Sequence, residues 1–460
     1  MGTVSRFAPS PTGYLHIGGL RTAIFAWLFA KANKGKVLLR FEDTDQERSK
    51  EEFTKSIMES FSWMDIDFDE KPYLQSKAKE RHIEVAENLL RDGNAYYCSC
   101  TNERLDDLRK EQMKKGLKPK YDRKCRDLNL KPDANHVIRF KNPIEGEVSF
   151  KDLVRGQISF SNDELDDLVL VRNNGLPTYN LCVVVDDVDM GVTHIIRGED
   201  HINNTPRQLN ILTALKESLP QYGHVPMILG EDKKRMSKRH GAVNVIEFKE
   251  QGILPEALLN YLVRLGWSLG DRELFSKADL IDNFQKGRIN NSPAIFSMEK
   301  LLWFNKEYLS SLDFSDLEEK VSKFAKSFSQ KSEYSRRVLH LIRTRCSTLI
   351  DFQRESHYFF NDVSHFEENL VKEVFTEESK EILSKLLKSL EPLDSWKSEE
   401  IQKIINLLKE DLGVGMPQIG KPLRLAIAGT LSSPSIDETV EVLGKEKVIS
   451  RLEQALDKFS

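Results

Sequence analysis

The chain has 460 residues, 39% of them hydrophobic and 30% charged, with 68 basic against 72 acidic side chains for a net charge of −4. That balance excludes a disordered or fibrous chain, and plain apolar runs such as Val183-Val184-Val185 are too short to cross a bilayer. The first residues lack the apolar core of a signal peptide, and five cysteines are too few for a disulfide framework, so the expected setting is a soluble protein in the reducing cytoplasm.

The opening reads strand, turn, helix. Residues 3–8 form a short extended run, Pro9, Pro11 and Gly13 mark a turn, and residues 17–32 carry Leu20, Ala23, Ile24, Trp27 and Leu28 at helical spacing. A second strand over 36–41 and a second helix over 50–63 follow. This alternation resumes with a strand over 193–197, a helix over about 205–215 and a strand over 225–229. Strands alternating with helices predict an α/β fold built on a doubly wound parallel sheet.

Between these halves, residues 94–175 hold a cysteine cluster, basic helical sequence and short alternating strands at 136–140, 147–150 and 157–160. They read as an insertion into the sheet domain. Beyond about residue 320 the pattern is helical, with breaks expected at 391–399 around Pro392 and at 416–422. Residues 320–345 carry eight basic residues against one acid, Glu333, and residues 104–126 are also biased to basic. Such patches attract phosphate, and equally serve as solvated helix faces; the sequence leaves both open.

Two boxes carry chemistry. The first is Pro9-Ser10-Pro11-Thr12-Gly13-Tyr14-Leu15-His16-Ile17-Gly18-Gly19. Its glycines let backbone approach a ligand, its turn delivers a helix N-terminus suited to phosphate, and His16 is an imidazole able to donate to phosphate oxygens. The second is Arg235-Met236-Ser237-Lys238-Arg239-His240-Gly241, in which Lys238 is a point charge on a long stem. Gly230 and Gly241 bracket a loop able to close over pyrophosphate and release it.

These boxes resemble the HIGH and KMSKS motifs of class I aminoacyl-tRNA synthetases. Arg6-Phe7-Ala8-Pro9-Ser10-Pro11-Thr12-Gly13, Arg40-Phe41-Glu42-Asp43-Thr44-Asp45, Pro177-Thr178-Tyr179-Asn180, Arg197-Gly198-Glu199-Asp200-His201 and Lys421-Pro422-Leu423-Arg424 resemble the bacterial glutamyl group, over essentially the whole chain. The resemblance implies a Rossmann-like catalytic domain with an inserted acceptor-end domain and an all-α C-terminal anticodon-binding region. It divides the chain at 1–93 and 176–230 (catalytic halves), 94–175 (insertion), 231–320 (KMSKS-bearing stem-contact domain) and 321–460 (anticodon region).

It also implies roles. His16 and Lys238 would be catalytic, and His16, Gly18, Gly19, Asp200, Arg235, Ser237 and Lys238 would bind ATP with Mg2+. Arg6, Ala8, Ser10, Glu42, Tyr179 and Arg197 would form the glutamate pocket, with Arg6 and Arg197 offering two guanidinium forks to a substrate with two carboxylates. Tyr179 as a core residue, and Glu42, Asp43 and Asp45 as caps of the next helix, remain alternatives. Arg345 would sense the third anticodon base. The implied partners are tRNA-Glu, ATP and L-glutamate, with no membrane, and the protein is expected to act as a monomer. Two departures stand out: the first box ends Gly18-Gly19, and Arg235 replaces the first KMSKS lysine. Charging of tRNA-Gln as well as tRNA-Glu stays open.

Cys98-Ser99-Cys100 and Cys125-Arg126-Asp127 place ligand types two residues apart. On extended strands each pair would face one side, so Cys98, Cys100, Cys125 and Asp127 would converge as a closed Zn2+ site, as in a zinc-bearing insertion known in the resembled group. Three reduced thiols without metal is the alternative. Cys182 and Cys346 read as buried apolar residues.

Overall fold

The computed structural model describes residues 2–45, 47–133, 135–234, 236, 244–363, 366 and 368–458. They divide into two compact units, one of residues 1–249 with 258–298, the other of 250–257 with 299–460.

The first unit is built on β1 (Val4–Phe7), α1 (Ile17–Ala32), β2 (Lys36–Phe41), α2 (Glu51–Trp63), β3 (Tyr73–Leu74) and α3 (Lys79–Arg91). The chain then makes β4 (Ala95–Cys98), α4 (Asn102–Lys114), β5 (Val137–Phe140), β6 (Glu147–Asp152), β7 (Gly156–Ser161) and β8 (Val169–Val171). It returns through α5 (Tyr179–Asp189), β9 (His194–Gly198), α6 (Thr205–Leu215) and β10 (Gln221–Val225) to β11 (Ile228–Leu229). The main sheet runs β10-β9-β1-β2-β3 with every pair parallel. The chain winds outward from β1 in both directions, so the switch in strand order lies between β1 and β9, where doubly wound sheets take their ligands.

α1 is buried nearly all round, with Leu20, Ala23, Ile24, Phe25, Ala26, Trp27, Leu28 and Ala30 in the core. It is the helix against which the sheet folds, and even Arg21 is buried within it. Between β3 and β9 the chain forms an antiparallel sheet, β4-β5-β8, and a β6–β7 hairpin. Val148 and Phe150 of the hairpin pack on the cluster of Val192, Ile195, Leu209 and Tyr222. α4 buries no residue, as its polar sequence dictates.

Two segments differ from the pattern expected of them. The strand read over 225–229 is two: β10 ends at Val225 in the main sheet, and β11 pairs with Ala294–Ile295 in a separate one. Pro226 lies between them and removes a ladder donor. The break expected at 416–422 is the start of the helix Met416–Ala428, because a proline in a first turn replaces an N–H that has no partner there anyway; Pro422 lies inside that helix.

The second unit is helical and buries a continuous core from Leu317 and Val321 through Leu339, Phe352, Leu386 and Ile405 to Leu423 and Leu452. The expected break at 391–399 is present, between helices Glu377–Leu390 and Ser398–Leu412. Much of the basic run at 320–345 is engaged within the unit. Arg336 meets Glu318 at 2.9 Å, Arg337 meets Glu441 at 3.0 Å and Lys323 meets Glu319 at 2.9 Å. Arg343 donates to the carbonyl of Ser310 at 2.6 Å, closing a helix C-terminus. Among the described residues, no helix is long and apolar enough to cross a membrane.

Candidate active site

A cavity of 570 Å³ opens at the carboxyl ends of β1 and β9. Its wall gathers Arg6, Ala8, Ser10, Glu42, Tyr179 and Arg197, together with His16, Gly18, Gly19 and Asp200. Residues from Arg6 to Asp200, distant in sequence, therefore share one chamber. Arg235, Ser237 and Lys238 lie outside the described residues; Met236 lines the cavity.

His16 is the N-cap of α1. Its Nδ1 accepts the Gly19 N–H at 3.1 Å, so in the neutral ring the proton sits on Nε2. A side chain Cβ at Gly18 would stand 3.1 Å from that ring, so glycine keeps the space beside the imidazole. A helix N-terminus and an imidazole donor on one turn suit an anionic ligand.

The arginines are held from behind. Arg6 gives Nε and Nη2 to the two oxygens of Asp187, at 3.1 and 3.3 Å. Arg197 gives Nε to His224 Nε2 at 3.1 Å and Nη2 to Thr205 Oγ1 at 2.8 Å, while its buried Nη1 has no partner. The Nε edge of each guanidinium is thus committed to the protein, so the forks expected of Arg6 and Arg197 would have to use the nitrogens on the other side.

Arg40 lies beneath, fully buried, bonded to Asp187 at 2.7 Å and to Glu42 at 3.4 Å. Burial pushes the Glu42 carboxyl above its ordinary value, with Arg40 and Arg6 opposing. Tyr179 is likewise raised by burial, to about 12, and its hydroxyl lies 3.1 Å from His201 Nδ1. Burial and Arg197 push His201 down to about 4, so its ring is neutral at pH 7. Asp43 does not cap the next helix; it accepts from Ser76 N and Oγ, both at 2.7 Å, and Asp45 pairs with Arg48. Asp152, Asp187, Thr205 and His224 support the site without belonging to either box. Arg21, pushed down to about 10 by burial, also lines the cavity and donates to the carbonyls of Leu265, at 3.1 Å, and Pro226.

The cysteine cluster is real but its fourth member differs from the expectation. The Sγ atoms of Cys98, Cys100 and Cys125 lie within 4.8 Å of one another. Asp127 is outside the group: its carboxylate is exposed and takes Lys141 Nζ at 3.2 Å. Residues 124–127 form a turn rather than a strand, so the two-residue parity that would align Cys125 with Asp127 does not apply. Instead Tyr121 Oη stands 3.3 Å from Cys98 Sγ and 3.6 Å from Cys100 Sγ. The Cys100–Cys125 sulfur separation of 3.5 Å is near the roughly 3.8 Å of tetrahedral thiolates at about 2.3 Å from zinc, so the donor set fits that ion.

In the second unit Arg345 donates to Glu355 at 3.1 Å and to Ser432 Oγ at 2.6 Å. Glu355 and Ser432 line a cavity of 620 Å³ with Gln353, Arg354, His357 and Tyr358.

A glycine turn leading into a helix at the switch point of a parallel sheet is the layout of a Rossmann-type enzyme that takes a nucleotide across its strand ends. Residues 3–303 match the family described as tRNA synthetases class I (E and Q), catalytic domain, and residues 316–456 match the anticodon binding domain. The chain belongs to the glutamyl and glutaminyl group of class I tRNA synthetases. It is 48% identical to a glutamate–tRNA ligase of Francisella tularensis subsp. novicida and 47% identical to one of Nitrosospira multiformis, each over 99% of both chains. The crystal structure of a glutamate tRNA ligase from Elizabethkingia meningosepticum, in complex with its amino acid, superposes with a TM-score of 0.89 at 31% identity over 100% of both chains.

Proposed function

We infer that this protein ligates L-glutamate to tRNA-Glu at the expense of ATP, through a glutamyl-adenylate, for translation in the cytoplasm. The observation that carries the reading is the meeting of Arg6, Arg197 and Glu42 with the His16–Gly19 turn in one cavity. Glutamate has two carboxylates for two arginines, and its ammonium group is matched by Glu42. ATP would be bound by the His16 turn and Asp200, and Arg235, Ser237 and Lys238 would serve its phosphates. The enzyme acts as a monomer.

In the first step an oxygen of glutamate's α-carboxylate attacks the α-phosphorus, and the bond from that phosphorus to the bridging oxygen breaks as pyrophosphate leaves. His16, through Nε2–H, and the backbone N–H groups of the turn meet the charge that builds on the phosphoryl oxygens, and Lys238 follows the departing phosphates. Mg2+ carried with ATP supplies further charge neutralisation when bound. In the second step a ribose hydroxyl of the terminal adenosine attacks the activated carbonyl and AMP leaves, the hydroxyl proton passing to the adenylate phosphate. Zn2+ held by Cys98, Cys100 and Cys125 would brace the insertion that meets the acceptor end, and Arg345 would read the third anticodon base.

The test is charging with radiolabelled glutamate on separate tRNA-Glu and tRNA-Gln transcripts, with ATP and Mg2+. Charging of tRNA-Glu alone is expected. Charging of both makes the enzyme non-discriminating and removes Arg345 as the selector; charging of neither overturns the reading.

A further inference from the structure

Behind Arg197 lies a chain of three buried groups that no motif announces. His224 is fully buried on β10 and sits beside Arg197 of β9 in the sheet register. Its Nδ1 lies 2.6 Å from Asp152 Oδ2, and its Nε2 lies 3.1 Å from both Arg197 Nε and Thr205 Oγ1. Arginine Nε–H can only donate, so His224 Nε2 must be the acceptor. The ring is therefore neutral with its proton on Nδ1, and that proton goes to Asp152. Asp152 is itself fixed, its Oδ1 accepting the N–H groups of Val154 and Arg155 at 2.9 Å each. Tyr222 stacks near the ring at 5.9 Å and Phe150 lies at 6.2 Å, so its faces meet aromatic neighbours while its two nitrogens are held by Asp152 and Arg197. Burial and the Arg197 charge hold His224 below the ordinary histidine value, in keeping with a neutral ring.

We propose that Asp152 and His224 are positioning residues for Arg197: Asp152 selects the Nδ1–H tautomer, and the Nε2 lone pair then turns the guanidinium so that Nη1 is left for the substrate's carboxylate. Without Asp152, the other tautomer points an N–H at Arg197, and two donors face each other. Since Asp152 closes the β6 strand of the hairpin, the orientation of a pocket residue is set from the inserted segment rather than from the main sheet alone. The proposal rests on Arg197 belonging to the glutamate pocket.

The experiment measures KM for glutamate and for ATP separately, in tRNA-dependent charging by the full-length enzyme. KM is read from the folded molecules, so partial loss of folded protein does not imitate the effect. In His224→Asn the shorter amide reaches Asp152 but not Arg197; in His224→Gln an amide oxygen reaches the Nε2 position. We expect His224→Asn to raise KM for glutamate by about tenfold or more, as for a lost bond to a charged group, with KM for ATP unchanged. His224→Gln recovers much of the loss, and the isosteric Asp152→Asn shifts KM for glutamate in the same direction by less. Equal changes in both KM values, a change in kcat alone, or no rescue by glutamine would overturn the proposal. Arg197→Lys separates the two ideas. If it leaves KM for glutamate unchanged, the pocket assignment has failed. If it raises KM while His224→Asn does not, the relay alone has failed.

Discussion

Arg40 Nη1 meets Asp187 Oδ1 at 2.7 Å with no more than 6% of either side chain exposed. The same carboxylate takes both Nε and Nη2 of Arg6, so one acid ties a wholly buried arginine to one at the cavity wall. Burial alone would push Asp187 up; Arg40 and then Arg6 reverse that and hold it below the ordinary carboxylate value.

Asp187→Ala leaves Arg40 buried with Glu42 and the more distant Asp186 as its remaining acids. Breaking such a pair from one side costs about 3–5 kcal/mol, and these neighbours place the expectation at the lower end. A folded value below the unfolded one means that the Asp187 contribution is present above about pH 4 and is lost as pH falls through the folded value. Denaturant midpoints measured across the acid range should fall steeply for the wild type and more gently for Asp187→Asn.

Protein purified without chelator should carry about one Zn2+ per chain by elemental analysis. Cys125→Ser should lose it, whereas Asp127→Ala should retain it, because that carboxylate faces solvent and Lys141. Tyr121→Phe should weaken retention. Wild-type protein with no bound metal would leave the cluster as three reduced thiols.

Lys238→Ala should keep the melting temperature and slow adenylate formation by about a hundredfold or more, measured as tRNA-dependent pyrophosphate exchange. Near-normal exchange would remove Lys238 from the phosphate-binding set.

Arg345→Ala should lower the ratio of tRNA-Glu to tRNA-Gln charging by about tenfold, as expected for one lost contact to a base edge. The side chain is held by Glu355 and Ser432, which both line a cavity roomy enough for a base, so the substitution removes a fixed donor beside that cavity's wall. An unchanged ratio would assign selectivity elsewhere.

The catalytic frame was legible wherever local pattern and tertiary role agree. The helix 17–32 and the strand 36–41 fall where apolar spacing and the flanking turns put them. The cavity residues were legible because they cluster in short boxes. Strand parity does not hold for Asp127, whose segment is a turn, and no spacing rule joins Tyr121 to cysteines 23 and 21 residues away. Asp152, His224 and Asp187 lie outside both boxes, in segments whose local pattern carries no site signal. Their meaning depends on which strands lie side by side, and that is settled only when the chain closes on itself.

The hairpin also covers the outer edge of β10. β10 is the last strand of the main sheet, and an outer strand carries backbone groups that a second molecule can pair with. Here the Tyr222 carbonyl takes the N–H of Leu153 at 2.8 Å, and the His224 N–H goes to the Asp152 carboxylate at 3.1 Å. The inserted segment thus seals a sticky rim, and a chain trimmed of residues 147–161 would offer that rim to its neighbours and self-associate.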